Sequence, residues 1–441
     1  MVTAQADPVT DVPPRRKRRW LRWVALGAAV LVLATAGAGW ALYTKLDGNI
    51  RTDTGTREEL RKYEAQRPPE EPTDAENILL LGSDSRDGEN SEYGGEGGTQ
   101  RSDTTILLHL AADRKSATAV SIPRDLMAQV PACTRPSGKL TRPRYVQFNW
   151  AFEFGGAACT IRTVEKMTGI RIDHHMIVDF VGFKKMVDAV DGVEVCLKKP
   201  VNDTDAHLVL PAGRQTLRGE DALGYVRARK SLGNGSDTQR IERQQQFLGA
   251  LVKKVRSNGV LLNPARLYPL LDAATSSLTT DDGLASLPDL YELVSSMRDI
   301  PVDKVQFLTV PRQAYRLDTD RDELVQPAAD RLFQELRADR PVSVRPAPTD
   351  GAHDPDNTAE YDDPARDPAS PARADAPASG TPPTGASPSA SAGATPSAGA
   401  SPSASADGTP SPGASGGASS GSGIHTVPAF RGTTADGGTC R

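Results

Sequence analysis

Residues 225–245 read YVRARKSLGNGSDTQRIERQQ, and this stretch decides how the rest of the chain is interpreted. Arg227 and Arg229 alternate, so on an extended segment both guanidinium groups point to one face. A glycine-bearing loop then leads to an aspartate that suits a helix N-cap, after which Arg240 and Gln244 lie one helical turn apart. Guanidinium groups near a helix N-terminus suit a phosphate-rich anion. Taken alone, the stretch is equally compatible with the solvated basic face of an amphipathic helix.

Polar side chains also flank three short apolar runs that precede this stretch. The runs predict buried strands at residues 77–81, 104–110 and 118–122. Asp84 follows the first run, Arg101 and Asp103 lead into the second, and Arg124 comes soon after the third. Open α/β sheets bind ligands at such strand ends. Asp84 and Asp103 could instead cap loops, and the two arginines could form surface ion pairs.

Strand and helix patterns alternate through the middle of the chain. Strands at residues 176–180 and 193–197 flank an amphipathic helix near 183–190, which is a βαβ-like pattern. The alternation predicts one α/β domain over about residues 75–345.

The N-terminal region predicts a membrane anchor. Residues 1–19 form a basic tail, 20–43 an apolar helix interrupted only by Arg22, and 44–74 a charged stalk. The uncharged run is about the 20 residues that a membrane helix needs. Basic residues before the run predict a cytoplasmic N-terminus and an extracellular domain. The alternative is a cleaved signal peptide, although the run is long for one.

The C-terminal region and the cysteines fit that location. Residues 346–423 are rich in Pro, Ala, Ser and Gly and predict a disordered linker. Residues 424–441 could pack on the domain or do nothing. Four cysteines outside the membrane suggest disulfides, with Cys133–Cys159 the first choice because it closes the shorter loop, and Cys196–Cys440 following by elimination. Free thiols are the alternative.

Several function classes receive no support from the sequence. The net charge of −4 and the lack of an aromatic platform beside the arginines argue against nucleic acid. Neither a Walker A motif, a serine-hydrolase elbow nor a dinucleotide fingerprint occurs. His174 and His175 are adjacent, so on a strand they face opposite sides. Asp318, Asp320 and Asp322 begin like a calcium loop, but its later glycine and glutamate are missing.

Five ordered motifs together resemble the LytR–CpsA–Psr family, also called the cell envelope-related transcriptional attenuator domain. The motifs are NILLLGSDSR (77–86), RSDTTILLHL (101–110), SIPRDL (121–126), the region from FNWAFEFGG (148–156) to TGIRIDHHMIVDF (168–180), and residues 225–245. The alanine-, arginine- and proline-rich composition is typical of an actinobacterial member.

The resemblance implies a three-layer αβα sandwich with a central mixed sheet and a hydrophobic pocket for a polyprenyl chain. It also implies an extracytoplasmic enzyme that moves a glycopolymer from a polyprenyl-pyrophosphate carrier to peptidoglycan. By the same resemblance, Asp84 and Asp103 would hold Mg²⁺ or Mn²⁺. The residues expected to grip the pyrophosphate are Arg101, Arg124, Arg227, Arg229, Arg240 and Gln244, and the first four of these arginines with Asp103 form the expected catalytic set.

Two other functions stay open at this point. One is a hydrolase of polyprenyl pyrophosphates that uses the same site with water as acceptor. The other is a non-catalytic regulator of the cell envelope, as the attenuator name suggests. About 20 residues before the anchor are too few for a DNA-binding domain, which makes transcriptional regulation the weakest reading.

Overall fold

Helices and strands alternate along the part of the chain that the computed structural model describes, which is residues 15–70, 72–83, 102–228, 237–257, 264–345 and 429–437. The helices are α1 Arg15–Asn49, α2 Thr54–Lys62, α3 Trp150–Thr168, α4 Phe180–Ala189, α5 Gly219–Arg227, α6 Asp237–Ser257, α7 Pro264–Ser277, α8 Leu287–Met297 and α9 Ala328–Arg337. The strands are β1 Arg51–Thr52, β2 Glu76–Ser83, β3 Ser102–Leu110, β4 Ala117–Ile122, β5 Met127–Val130, β6 Arg144–Gln147, β7 His174–Val178, β8 Val193–Leu197, β9 Val201–Asp203, β10 Leu208–Leu210, β11 Gly213–Leu217, β12 Leu278–Thr280, β13 Val305–Thr309, β14 Arg312–Tyr315, β15 Asp318–Leu324, β16 Ser343–Arg345 and β17 Ala429–Thr434.

A mixed central sheet forms the middle of the fold. Its strand order is β1-β12-β7-β2-β3-β4-β13-β17-β16. Strand β2 is antiparallel to β3 and parallel to β7, while β4 is antiparallel to β3 and parallel to β13. The end of β2, the start of β3 and the ends of β4 and β13 therefore share one edge of the sheet, which we call the cleft edge.

Helices cover both faces of this sheet. Side chains alternate along each strand, so each buried strand presents apolar side chains to both helical layers. Leu79, Leu81 and Leu107 pack on one face with α3, α9 and Leu60 of α2. On the other face, Ile78 packs with α8 and Ile106 packs with α6. Strands that are buried on both sides need continuous apolar runs, which is why NILLL predicted a strand. The three-layer αβα sandwich expected from the sequence is confirmed.

The region around α4 differs from its predicted pattern. Strand β8 lies outside the central sheet and pairs antiparallel with β11, so β7, α4 and β8 do not form a βαβ unit. Strands β8–β11 instead build a second apolar cluster with α4, α5 and Phe247 of α6. The prediction was wrong because a short apolar run does not reveal which sheet it joins.

Residues 44–74, predicted as a stalk, belong largely to the folded domain. Strand β1 is the outermost strand of the sheet on one side and pairs with β12, and Leu60 of α2 is buried in the core. Asp53 caps α2 by accepting a hydrogen bond from the Thr56 amide at 3.0 Å. The apolar part of α1 is long and hydrophobic enough to cross a membrane.

Part of the C-terminal segment also joins the domain. Strand β17 lies between β13 and β16, antiparallel to the first and parallel to the second. Ala435, just after β17, is buried against α6, where a side chain at Gly249 would lie 3.2 Å from the Ala435 backbone. Of the two alternatives for residues 424–441, packing on the domain holds for residues 429–437.

The predicted disulfide Cys133–Cys159 is present, with a Cα–Cα distance of 5.6 Å, and it ties the chain after β5 to α3. Cys196 is also disulfide-bonded. Its predicted partner Cys440, the tail 1–14 and the linker 346–423 lie outside the described residues.

Candidate functional site

A shallow cleft opens at the cleft edge of the sheet. It has a volume of about 220 Å³, including the part that is open to solvent. Its wall comes from the start of β3, the end of β4 with the loop after it, and the first turns of α6. The wall residues are Asp103, Thr104, Thr105, Ser121, Ile122, Pro123, Arg124, Arg240, Ile241 and Gln244. The fold thus brings together four residues that the sequence proposed for the site, namely Asp103, Arg124, Arg240 and Gln244.

Asp103 and Arg124 form an ion pair in this cleft. Nη1 of Arg124 donates to Oδ1 of Asp103 at 2.8 Å, and Nε donates to Oδ2 of Asp125 at 3.2 Å. Burial acts to lower the pKa of Arg124, but Asp103, Asp125 and Asp237 outweigh it and the pKa is raised. The guanidinium therefore keeps its positive charge in the cleft.

The backbone and Asp125 fix the position of Arg124. The Arg124 carbonyl accepts a hydrogen bond from the Asn149 amide at 3.1 Å. Oδ1 of Asp125 accepts from Nε2 of Gln147 at 2.6 Å and lies 3.5 Å from Nη1 of Arg321. Asp125 thus orients the Arg124 side chain.

Helix α6 supplies the opposite side of the cleft. Arg240 is buried, and its Nη2 lies 2.6 Å from Oδ1 of Asp237. Gln244 is one turn further along, and its Nε2 donates to the Val226 carbonyl at 3.2 Å. The i, i+4 spacing read from the sequence therefore places both side chains on the cleft side. Asp237 begins the helix itself instead of preceding it as a cap.

Arg227 occupies a different setting from the one predicted. It is the last residue of α5, so the alternation of Arg227 and Arg229 does not reflect an extended strand. Its guanidinium carbon lies 4.5 Å from the centre of the Phe180 ring, a cation–π contact. Arg227 is not part of the cleft wall, whereas Asp84, Arg101 and Arg229 lie outside the described residues.

Sequence reasoning missed the residues that hold α6 against the sheet. Gln245 is buried, and its Nε2 donates to Ser121 Oγ at 3.0 Å and to Thr309 Oγ1 at 3.1 Å. The two hydroxyl groups belong to the parallel neighbours β4 and β13. Gln245 therefore fastens the helix that carries Arg240 and Gln244 to two strand ends.

Arg312 adds a second fastening. Its Nη2 donates to Thr238 Oγ1 at 2.6 Å, and its Nη1 lies 2.5 Å from Asp322. Burial raises the pKa of Asp322, and Arg312 opposes this increase. One sequence signal could have revealed this residue: Pro311-Arg312 follows β13 just as Pro123-Arg124 follows β4.

The fit of a divalent cation can be tested on the residues present. The described residues contain no group of three or more His, Cys, Asp or Glu side chains suited to a metal. They do supply Asp103, a part-exposed carboxylate in the cleft beside arginines. Mg²⁺ commonly takes one or two carboxylates and completes its shell with water and substrate phosphate oxygens. One cleft carboxylate therefore fits such an ion but not a cage made only of protein ligands.

The two histidines and the aspartate series have structural roles. His174 Nδ1 lies 3.0 Å from Oδ1 of Asp281, and His175 Nε2 lies 3.3 Å from Oδ2 of Asp53. The segment from Asp318 onward is strand β15 and forms a hairpin with β14. A calcium loop is thus ruled out at this segment.

These features define the class as an α/β sandwich protein whose mixed sheet is covered on both faces. A cleft lined by a carboxylate and guanidinium groups lies at one edge of that sheet. A model of the LytR_cpsA_psr family matches residues 42–338, and the chain belongs to this family.

Relatives support this assignment. The chain is 32% identical over 396 residues to the cell wall biosynthesis protein LcpA of Corynebacterium glutamicum, covering 80% of this chain and 73% of that protein. It is 30% identical over 297 residues to the polyisoprenyl-teichoic acid–peptidoglycan teichoic acid transferase TagT of Bacillus subtilis, covering 65% of this chain and 85% of TagT. The crystal structure of protein gbs0355 from Streptococcus agalactiae is similar in fold, with a TM-score of 0.50, 21% identity, and coverage of 60% of this chain and 88% of that one.

Proposed function

We propose that this protein transfers a glycopolymer from a polyprenyl-pyrophosphate carrier to peptidoglycan. The observation that carries the proposal is the cleft in which Asp103, Arg124, Arg240 and Gln244 converge at the cleft edge. Its chemistry suits a diphosphate, and relatives that share the family are named as transferases that act between polyisoprenyl-linked teichoic acid and peptidoglycan.

The reaction is a substitution at phosphorus. The acceptor hydroxyl oxygen forms a bond to the phosphorus that carries the glycan, the bond from that phosphorus to the bridging oxygen breaks, and polyprenyl phosphate leaves. Negative charge grows on the bridging and non-bridging oxygens. Arg124 and Arg240 would stabilise this charge. Because Asp125 and Asp237 already orient these two side chains, they need little rearrangement.

Mg²⁺ would be held by Asp103, with Asp84 as the expected second carboxylate. When bound, such an ion neutralises charge on phosphate oxygens.

The protein would be anchored in the cell membrane. The apolar part of α1 would cross the cell membrane once, with the basic N-terminal tail in the cytoplasm and the catalytic domain outside. In that arrangement the enzyme reaches both a lipid-linked donor and the peptidoglycan acceptor, and no nucleic acid is involved.

The test uses the full chain in lipid nanodiscs with a polyprenyl-pyrophosphate glycan, with and without a muropeptide acceptor. We expect release of polyprenyl phosphate that needs the acceptor and a divalent cation. Arg240→Ala should raise the barrier by about 2–4 kcal/mol, as loss of one oxyanion donor does. Gln246→Ala is a matched control, because Gln246 is exposed on the same helix.

Two results would contradict this function. Release with water alone would identify a pyrophosphate hydrolase. No turnover, together with donor binding that survives Asp103→Ala and Arg240→Ala, would leave a lipid-binding or regulatory protein.

A further inference from the structure

The helix that would cross the membrane does not end at the membrane boundary. Its apolar part ends at Tyr43, but α1 continues without a break to Asn49. Nζ of Lys45 donates to Tyr268 OH at 3.1 Å and lies 3.0 Å from Oδ1 of Asp272. Nδ2 of Asn49 donates to the same Asp272 oxygen at 3.1 Å. The last turn of α1 is thus joined to α7 by a set of polar contacts that we call the anchor latch (Lys45, Asn49, Tyr268, Asp272).

Further contacts hold the same turn from other sides. Leu46 is buried, and Oδ1 of Asp47 accepts a hydrogen bond from the Leu287 amide at the start of α8, at 2.9 Å. Strand β1 begins two residues after α1 ends. So short a connection between two fixed elements makes α1 and the domain move together.

Helices α1 and α7 run side by side in the same direction. Lys45 contacts Tyr268, and one turn later Asn49 contacts Asp272 and Thr275. Both helices then lead into neighbouring parallel strands, α1 into β1 and α7 into β12. Within α7, Leu270 packs on the apolar cluster of α4, α5 and β8–β11, not on the sheet.

The strand register shows where the start of β1 lies relative to the cleft. Across the sheet, Arg51 is aligned in one row with Thr279, Ile177, Leu81, Thr105 and Ile122. Thr105 and Ile122 are wall residues of the cleft. The first residue of β1 therefore lies level with the cleft, about five strand spacings or 24 Å away across the sheet.

Strand direction settles the side. Strand β2 runs toward the cleft edge, β7 is parallel to it, and β12 is antiparallel to β7. Strand β1, parallel to β12, thus runs away from the cleft edge. The chain that precedes Arg51, which is the end of α1, lies on the cleft side of the sheet.

We propose that the anchor latch fixes the domain on the membrane surface with the cleft edge facing the bilayer, so that a lipid-linked diphosphate reaches the cleft while its prenyl chain stays near the membrane. The inference rests on the proposed function for the identity of this lipid, but its geometry rests on α1 alone. The surface that meets the bilayer is the end of the domain beside Lys45 and Tyr268. Lys45 lies only about 3 Å beyond Tyr43 along the helix axis.

The first experiment removes the rigidity and leaves the latch in place. Gly-Gly-Ser-Gly-Gly-Ser is inserted between Thr44 and Lys45 of the full chain, and the same peptide ahead of Arg15 is the control. Transfer is measured from a long-chain donor held in nanodiscs and from a water-soluble short-prenyl donor. We expect the first insertion to slow transfer from the nanodisc donor about tenfold or more, through lost orientation. Transfer from the soluble donor and transfer by the control should not change.

Wild-type transfer from the nanodisc donor by the first insertion variant would overturn the inference. If the wild-type protein uses neither donor, the proposed function fails, and the orientation is then decided by the second experiment.

That experiment measures orientation without catalysis. Pro269→Cys is exposed on α7 beside Tyr268, and Lys115→Cys is exposed in the turn between β3 and β4 at the opposite edge. Each is labelled with a fluorophore in vesicles that carry a quencher on the lipid headgroups. We expect strong quenching at residue 269 and little at residue 115. Residue 115 lies about 20 Å from the row of Thr105 along the strand direction, on the side away from the cleft. Equal quenching, or stronger quenching at residue 115, overturns the inference.

Discussion

Arg124 reaches Asp103 across the mouth of the cleft, with Nη1 and Oδ1 2.8 Å apart. Asp103 lies in β3 and Arg124 lies in the loop after β4. The sequence analysis proposed opposite tasks for them, cation binding for Asp103 and phosphate binding for Arg124. In the folded chain each neutralises the other. A diphosphate that enters with a cation would therefore replace one ion pair by two matched contacts, so little uncompensated charge is exposed at any stage.

Arg124 should not be replaceable by lysine. The guanidinium bridges Asp103 and Asp125 through different nitrogens, and a lysine ammonium cannot reproduce this planar geometry. We expect Arg124→Gln to lower kcat/KM about 10²- to 10³-fold and Arg124→Lys to recover at most about tenfold of that loss. Steady-state transfer kinetics measure this. Full activity in the lysine variant would show that only charge is required.

Three consecutive glutamines in α6 should separate chemistry from stability. Gln244 lines the cleft, Gln245 is buried with two hydroxyl partners, and Gln246 is exposed. Gln245→Leu should lower the free energy of unfolding by about 1–3 kcal/mol, since it removes the partner of one buried and one half-buried hydroxyl group, and should also lower transfer. Gln244→Ala should lower transfer only, and Gln246→Ala neither.

Urea unfolding and transfer rates on the same three samples test this ordering. An unfolding free energy for Gln245→Leu equal to that of Gln246→Ala would show that α6 is held mainly by its apolar contacts.

Strand β17 should depend on the absence of a side chain at Gly432. A Cβ there would lie 2.2 Å from the Phe307 carbonyl oxygen of β13. We expect Gly432→Val to displace β17 and cost about 2–4 kcal/mol of unfolding free energy. Thermal unfolding and limited proteolysis after residue 429 report the displacement. Arg431→Val, at the exposed neighbouring position, is the control and should leave both measurements close to wild type.

Acid should destabilise the protein partly through Asp53. Burial acts to raise the pKa of this carboxyl, but hydrogen bonds from His175 and Thr56 outweigh it and lower the pKa to about 2 from 3.8. A lowered folded-state pKa adds stability above the unfolded value, and this stability is lost as the pH falls from about 4 to about 2. After allowance for partial exposure, the contribution is about 1–2 kcal/mol.

Asp53→Asn tests this because asparagine is also a good N-cap for α2. The variant should be less stable than wild type at pH 6, and the difference should shrink toward pH 2.5. Asp113→Asn, in an exposed turn, is the comparison. A difference between Asp53→Asn and wild type that does not change over this range would contradict the assignment.

The parts of the site that the sequence predicted are those set by local pattern. Asp103 and Arg124 flank apolar runs that form buried strands, and Arg240 and Gln244 share a helix face by spacing alone. Arg227 was misplaced because two alternating arginines fit a helix end as well as a strand. The order of strands around β8 and the fastening by Gln245 depend on contacts between distant segments, which spacing does not encode.

Strand β17 was the hardest element to foresee. Its sequence, AFRGTT, has little apolar character and lies beyond a long segment rich in Pro, Ala and Ser. Two glycines make room for this segment. Gly249 on α6 and Gly432 within the strand allow close approach of the neighbouring backbones. Such complementarity becomes visible only when both sides are seen together.

Strands β16 and β17 are parallel neighbours in the sheet, although residues 346–428 separate them along the sequence. Residues 346–428 therefore join two strands of the same sheet. In binding terms, β17 is an intramolecular ligand of the sheet, and its covalent connection to β16 sets its effective concentration. A protease that cuts this connection would turn β17 into a peptide that can dissociate from the sheet. The fraction of molecules in which β17 is paired would then depend on cleavage at a site outside the cleft.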